Sequence, residues 1–320
     1  MGRILLTGAS GFVGRAVHDC LSKITAHELV VAVRKHIYGL PVTTSVAQID
    51  QIDGTTDWMH ILVGCDVVIH AAARVHVMND SSVDPLASFR KVNVEGTLNL
   101  ARQAAQKGVR RFVFISSIKV NGEETSLDVP YTADAAPAPV DPYGISKMEA
   151  ENGLMIIAAQ TGMEVVIIRP TLVYGPGVKA NFLNMMRWLH KGIPLPFGAI
   201  HNRRSLVALG NLVDLIIVCI AHPKAANQKF LVSDGDDLST TELLQRMARA
   251  LRKPARLLPV PSVFLTVCAN FFGKRSLSQR LCGSLQVDIS KNRELLSWTP
   301  PIAVDAAFDA TAKYFLDEQV

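Results

Sequence analysis

No two cysteines in this 320-residue chain are spaced Cys-x-x-Cys. The five present, Cys20, Cys65, Cys219, Cys268 and Cys282, are scattered and odd in number. That argues against a disulfide framework and against a thiolate zinc site. His76, His201 and His222 lack metal-ligand spacing too, so no metal is expected. Charge of one sign is scarce: 33 Lys and Arg against 28 Asp and Glu leave +5. This excess reads as dispersed, with Arg110-Arg111 and Arg203-Arg204 the densest pairs. It is not the basic stripe of a nucleic-acid binder. No apolar run reaches the roughly 20 residues of a membrane span. The most suspicious stretch, 257–272, contains Pro259 and Pro261 and reads as a helix covering a cleft. Contact with a membrane surface, beside Lys274 and Arg275, is the other reading of it. The chain runs directly into the apolar segment Arg3-Ile4-Leu5-Leu6-Thr7 with no leader-like regions ahead of it. A cytoplasmic location is expected, with attachment to the inner membrane as the alternative.

With 49% hydrophobic and 19% charged residues the chain has a globular composition. Short runs rich in Val, Ile and Leu predict strands at 3–7, 29–33, 45–49, 66–70, 111–116 and 164–168. Continuous apolar runs of that length suit strands buried on both faces, as in a parallel sheet. Helical patterns alternate with them near 12–23, 56–63, 83–106 and 141–160. The alternation predicts a Rossmann-type, doubly wound α/β sheet over residues 1–170. Beyond it, patterns near 179–191, 209–221, 239–251, 261–272 and 303–317 predict a smaller, mainly helical lobe over 171–320. Some of its segments are expected to return to the first sheet.

Thr7-Gly8-Ala9-Ser10-Gly11-Phe12-Val13-Gly14 closes the first strand and opens a helix. Glycines permit a tight turn and let the backbone approach a pyrophosphate, while the helix N-terminus offers free N–H groups. Gly8, Ser10, Gly11, Phe12, Val13 and Gly14 are therefore candidates for a dinucleotide site. About 20 residues further on, where an acidic residue would bind a ribose 2′-hydroxyl, stands Arg34, followed by Lys35. An arginine there suits a 2′-phosphate, which points to NADP(H), with NAD(H) the alternative.

Tyr143 and Lys147 are four residues apart, on one face of a helix that Pro142 helps to start. A neighbouring ammonium stabilises phenolate, so the expectation is a tyrosine of lowered pKa serving as general acid and base. Ser116-Ser117 ends the strand at 111–116, where catalytic residues of open α/β sheets gather. Only one of the two serines can face the reacting oxygen.

These segments occur in a familiar order. The glycine turn, Asp66-Val67-Val68-Ile69-His70-Ala71-Ala72-Ala73, Asn93-Val94-Glu95-Gly96-Thr97, Ser116-Ser117, Tyr143-x-x-x-Lys147 and Arg169-Pro170-x-x-x-Tyr174-Gly175-Pro176-Gly177 are all present. So are Asp288-x-Ser290-Lys291 and Trp298-x-Pro300. The set resembles the extended short-chain dehydrogenase/reductases, and within them the NAD-dependent epimerase/dehydratase family acting on nucleotide sugars. The resemblance implies that Tyr143 is the acid/base at the sugar C4 oxygen. It implies that Lys147 binds the nicotinamide ribose and tunes Tyr143, and that Ser117 is the catalytic hydroxyl, standing three residues before Val120. Ala71, Ala72 and Ala73 would line the cofactor and Asn93 would support that strand end. Gln51-Ile52 stands where the family often has an Asp-Leu pair contacting adenine. Asn181 and Arg204 resemble contacts to the substrate diphosphate, with Asn211 falling where the family motif places Asp. Arg280 is a further phosphate or uridine candidate. Dimerisation through 83–106 and 141–160 is implied as well.

Three reactions share this scaffold: 4-epimerisation, 4,6-dehydration and 4-keto reduction. The family's dehydratases resemble Thr-Asp-Glu where this chain has Ser117-Ile118-Lys119, so dehydration is disfavoured. Arg34 leans toward NADP(H) and hence a reductase. Asn121, in place of a tyrosine, is expected to alter the pocket wall. The stretch Ser117 to Glu123 resembles bacterial O-antigen enzymes that reduce UDP-4-keto-6-deoxy-N-acetylglucosamine to UDP-N-acetylquinovosamine. That reduction of a UDP-sugar is the leading expectation. The alternative is a UDP-glucose or UDP-N-acetylglucosamine 4-epimerase. A non-catalytic NADP-binding protein is more remote, since Ser117, Tyr143 and Lys147 are all present.

Overall fold

The computed structural model describes residues 2–24, 27–35, 44–75, 84–271 and 275–318. His76, Phe272 and Lys274 lie outside them. Nine strands are described: β1 Gly2–Thr7, β2 His27–Val33, β3 Thr44–Gln48, β4 Cys65–His70, β5 Arg111–Ile115, β6 Glu164–Pro170, β7 Leu172–Tyr174, β8 Leu206–Ala208 and β9 Gln228–Val232. Seven form one sheet in the order β3-β2-β1-β4-β5-β6-β9, parallel throughout. β7 and β8 pair separately. The order reverses between β1 and β4, and ligands of open α/β sheets bind in the crevice beyond the strand ends at such a point.

The helices are α1 Phe12–Leu21, α2 Pro85–Arg90, α3 Thr97–Gln106, α4 Pro142–Thr161, α5 Ala180–His190, α6 Leu209–Ala221, α7 Thr240–Ala250, α8 Ser262–Phe271, α9 Arg275–Cys282, α10 Ser290–Leu296 and α11 Val304–Asp317. Side chains alternate across the sheet, so successive apolar residues feed two cores. Ile4, Leu6, Ile69, Val113 and Ile168 pack with α1 and α6. Leu5, Val68, Phe112, Phe114 and Ile167 pack with α3 and α4. A third core holds Tyr174, Phe182, Met185, Met186 and Phe308 in the second half. β9 and α6, both from beyond residue 170, thus lie with the main sheet.

Two expectations change. The helix expected near 56–63 is a run of turns. The Asp53 carboxylate accepts from the Thr55 amide and hydroxyl, at 2.9 Å each, and the carbonyls of Asp53 and Thr56 accept from Asn99. Local side-chain bonding of this kind competes with a helix. The long helix expected at 83–106 is interrupted by a π-helical turn, Lys91–Gly96. Such turns are rare and gather at functional sites. The short α9 and α10 were not expected.

One buried ion pair joins α4 to the sheet. Arg169 at the end of β6 donates Nε to Glu151 Oε1 at 2.9 Å and Nη2 to Oε2 at 2.5 Å, both side chains being buried. Ser116 donates to the same carboxylate at 2.5 Å, and Arg169 Nη1 reaches Asn121 Oδ1 at 2.8 Å. Asn121 is therefore part of this network and not of a pocket wall. Removing one partner strands a buried charge. Arg169→Met is expected to cost about 3–5 kcal/mol in denaturant unfolding, and Arg169→Met with Glu151→Leu to recover most of it.

Candidate active site

The turn after β1 is a backbone-to-backbone contact. Gly8 has φ +80°, and a Cβ there would lie 2.6 Å from the Ala72 amide nitrogen. A Cβ on Gly14 would lie 2.1 Å from the Gly8 carbonyl oxygen. Glycine is the residue that permits both approaches. Gly11 caps α1 without a side-chain acceptor, so the first amides of that helix are left for a ligand. Ser10 and Gly11 are exposed, Phe12 and Val13 half-buried. This glycine cradle beside Ala71-Ala72 fits a dinucleotide pyrophosphate. Arg34 and Lys35 are exposed just past β2, and exposed Gln51 and half-buried Ile52 follow β3. Gly96, in the π-helical turn, presses against Ile52 and Asp53.

His70 ends β4 beneath this turn. Its Nδ1 lies 2.7 Å from Thr7 Oγ1 and its Nε2 3.0 Å from Thr97 Oγ1. Burial first, and the Lys147 charge second, pull its pKa down to about 3. A neutral imidazole thus ties β1, β4 and α3 together. Asn93 in the π-helical turn holds residue 74 at both ends, its Oδ1 accepting from the Arg74 amide at 2.8 Å and its Nδ2 donating to the Arg74 carbonyl at 3.0 Å. The same Nδ2 donates to Ser146 Oγ on α4 at 3.0 Å.

Asp141 starts α4, accepting from the Gly144 amide at 2.7 Å, with Pro142 as first helical residue. Tyr143, Lys147 and Glu151 then succeed one another at turn spacing. Ser117, just past β5, accepts from the Lys119 amide at 3.2 Å and stands near enough to the Tyr143 phenol to favour its ionised form, while Ser116 is turned to Glu151. The Tyr143 ring packs edge-on to Phe89 at 6.0 Å, and Phe89 carries the Arg74 guanidinium 5.7 Å from its centroid. Lys147 is buried; its Nζ donates to the Ile115 carbonyl at 2.8 Å and sits 4.4 Å over the Phe114 ring.

The expected lowering of the tyrosine pKa is not found. Burial, then the Asp141 carboxylate, push Tyr143 up to about 12, against the lowering effect of the Ser117 hydroxyl. The ammonium that should lower it is held on Ile115 O, 6.0 Å from the Tyr143 ring centroid. Burial brings Lys147 down to about 7, opposed by Glu151. The pair can still move a proton: a phenol near Ser117, with an amine 6.0 Å from its ring that titrates near neutrality.

Arg204 is half-buried, donating Nη1 to the Gly283 carbonyl at 3.0 Å. Burial, then Arg280, lower its pKa, while Glu124 and Glu123 oppose them. The structure thus brings Arg204 and Arg280 into one field. Charges continue from there toward the tyrosine: Glu123 binds Lys119 at 2.7 Å, and Lys119 binds Asp141. Asn181 is exposed on the first turn of α5. Asn211 is structural, binding the Ile302 amide and carbonyl and Asp234. Phe89, Asp141, Glu151 and Arg169 also shape the site. Of these, Asp141 carries a local signal as a cap residue before Pro142, and Arg169 stands in the Arg169-Pro170 segment, whereas Phe89 and Glu151 carry none.

A sequence model of the NAD dependent epimerase/dehydratase family matches residues 4–233. A UDP-glucose 4-epimerase of Vibrio cholerae is 50% identical over 317 residues, 98% of this chain and 95% of its own. An N-acetyl-alpha-D-glucosaminyl-diphospho-ditrans,octacis-undecaprenol 4-epimerase of Escherichia coli O157:H7 is 27% identical, covering 97% and 94%. Among solved structures, UDP-glucuronic acid 4-epimerase from Bacillus cereus in complex with NAD superposes with TM-score 0.80 at 19% identity, over 99% of this chain and 100% of that one.

Asp141→Asn tests the electrostatics. Asparagine still caps α4, so the folding loss stays below about 1 kcal/mol. Removing the carboxylate stabilises the phenolate, so the Tyr143 pKa falls and the acidic limb of the kcat/KM profile, where Tyr143 must be deprotonated to act as a base, moves to lower pH. A limb that stays in place would remove Asp141 from the account.

Proposed function

The chain belongs to the NAD-dependent epimerase/dehydratase family, and from that premise we propose that it inverts C4 of a UDP-hexose, with UDP-glucose or UDP-N-acetylglucosamine as substrate. Tyr143 takes the proton from O4 and returns it on the reverse step. Ser117 holds O4 against Tyr143. Lys147 orients the nicotinamide ribose, and the glycine cradle from Gly8 to Gly14 holds the pyrophosphate, with Gln51, Ile52, Ala71, Ala72, Ala73 and Asn93 around it. When bound, NAD supplies a hydride acceptor for C4 and gives the hydride back. Arg204, with Asn181 and Arg280, receives the diphosphate; a guanidinium fork matches phosphate oxygens.

One observation carries the choice against dehydration. The site offers a single phenol for proton transfer, and the two residues after Ser117 supply no carboxyl: Ile118 is buried, and Lys119 is engaged by Asp141 and Glu123. Epimerisation needs one acid/base at O4, whereas dehydration needs further groups at C5 and C6. The 50% identity to a UDP-glucose 4-epimerase over nearly the whole chain supports epimerisation and displaces reduction of the 4-keto-6-deoxy sugar as leading reading. That reduction keeps one support, the exposed Arg34 and Lys35 where a ribose-binding carboxylate would stand. They favour NADP(H), which a reductase exchanges at each turnover.

Incubation of the protein with UDP-glucose or UDP-N-acetylglucosamine and no added reductant is expected to give the C4 epimer, seen by NMR, with no net change in cofactor absorbance. Tyr143→Phe is expected to lower kcat by about 10²–10⁴-fold while cofactor binding is kept. Stoichiometric NADPH consumption with the 4-keto-6-deoxy sugar, and no inversion in the first assay, would establish the reductase.

A further inference from the structure

The positive charge is not dispersed as expected. Residues 165–213 hold six Lys and Arg and residues 243–287 hold eight, and neither stretch contains Asp or Glu. Together they exceed the net charge of +5, so the remainder of the chain is net negative. The fold lays the two stretches side by side. Leu195 pairs with Leu257 and Ala199 with Pro261 in parallel; the Leu195 amide donates to the Arg256 carbonyl at 2.9 Å and the Leu258 amide to the Leu195 carbonyl at 2.8 Å.

Part of this charge is engaged inside the protein. Arg169 binds Glu151, Arg246 binds Asp236 and Asp305, and Arg204 lies at the proposed diphosphate end. Arg187, Lys191, Arg249, Arg252, Lys253 and Arg256 are exposed. The same two paired stretches also expose apolar side chains. Val263, Phe264 and Val267 of α8 are 73%, 62% and 60% exposed, and at helical spacing they share a face. Leu258, Ile193 and Trp188 are exposed as well. Trp188 stands outside the core that holds Met185 and Met186.

We propose that this face docks the protein on an anionic membrane surface, with α8 in the headgroup boundary and the basic residues against the anionic headgroups. The pattern is that of an interfacial element: an apolar face, a cationic surround and an exposed tryptophan. α8 has ten residues and follows Pro261, so it lies on a bilayer and does not span it. No helix among the described residues is long and apolar enough to cross. A second copy fits this face poorly, because a two-fold axis would set its basic residues against themselves. The docking helix is joined to the proposed substrate end, since α8 packs against α9, the helix that carries Arg280.

The test is sedimentation of the full chain with vesicles of phosphatidylcholine alone or mixed with phosphatidylglycerol, without any sugar substrate. It therefore stands or fails separately from the epimerase reading. Binding is expected to the anionic vesicles only and to weaken as salt rises. Arg252→Glu with Lys253→Glu and Arg256→Glu is expected to lower the partition coefficient by on the order of a hundredfold. Val263→Asp with Phe264→Asp is expected to lower it by about tenfold or more. The salt dependence of the unaltered protein needs no variant and guards against misfolding. Protein left in the supernatant with both vesicle types, or equal binding to both, would overturn the proposal. So would an apolar substitution that changes only self-association.

Discussion

The site depends on how one helix is pinned to the sheet. Glu151, Lys147 and Tyr143 lie at successive turns of α4. Glu151 is bound by Arg169 from the end of β6 and by Ser116 from the end of β5. Lys147 is bound by the carbonyl of Ile115. Both anchors are buried, where an electrostatic contact is strong and its loss costly. With two turns fixed, Tyr143 has little freedom except beside Ser117. A proton carrier must stand within hydrogen-bond reach of the reacting oxygen, and the ion pair sets that reach from two turns away.

The same burial sets the proton affinities. It raises the tyrosine, lowers the lysine and keeps His70 neutral. Each group is held in its neutral form over a wider pH range than in water. For His70 the sign is clear: the folded pKa lies below the unfolded value. Its contribution to stability is therefore present above the unfolded value of about 6.5 and is lost as pH falls toward 3. Charge remains at defined places, in the Asp141–Lys119 pair at the start of α4 and where Arg204 lies in the field of Arg280.

Much of the sheet was legible because its signals are local. Apolar runs such as Phe112 to Ile115 and the glycine turn at 8–14 depend on neighbouring residues alone. The spacing of Tyr143 and Lys147 likewise placed both on one helix face. What could not be read joins distant residues. Glu151 and Arg169 are paired by the approach of α4 to β6, and Asn121 enters that network only in three dimensions. The turns at 56–63 follow from Asp53 and Asn99, a bond between separate segments. The tyrosine pKa went the wrong way because spacing says nothing of the Ile115 carbonyl that draws the ammonium aside. The charge asymmetry is legible in the sequence as two stretches without Asp or Glu, 165–213 and 243–287, and not in the dense basic pairs.

UDP-glucose carrying deuterium at C4 shows whether Tyr143 assists a hydride transfer in which C4 gives up its hydrogen and receives the same hydrogen back. The C4-inverted product is expected to keep the label at C4, with no exogenous reductant and no exchange with solvent. An inverted product that has lost the label, or turnover that requires added NADPH, would contradict this transfer.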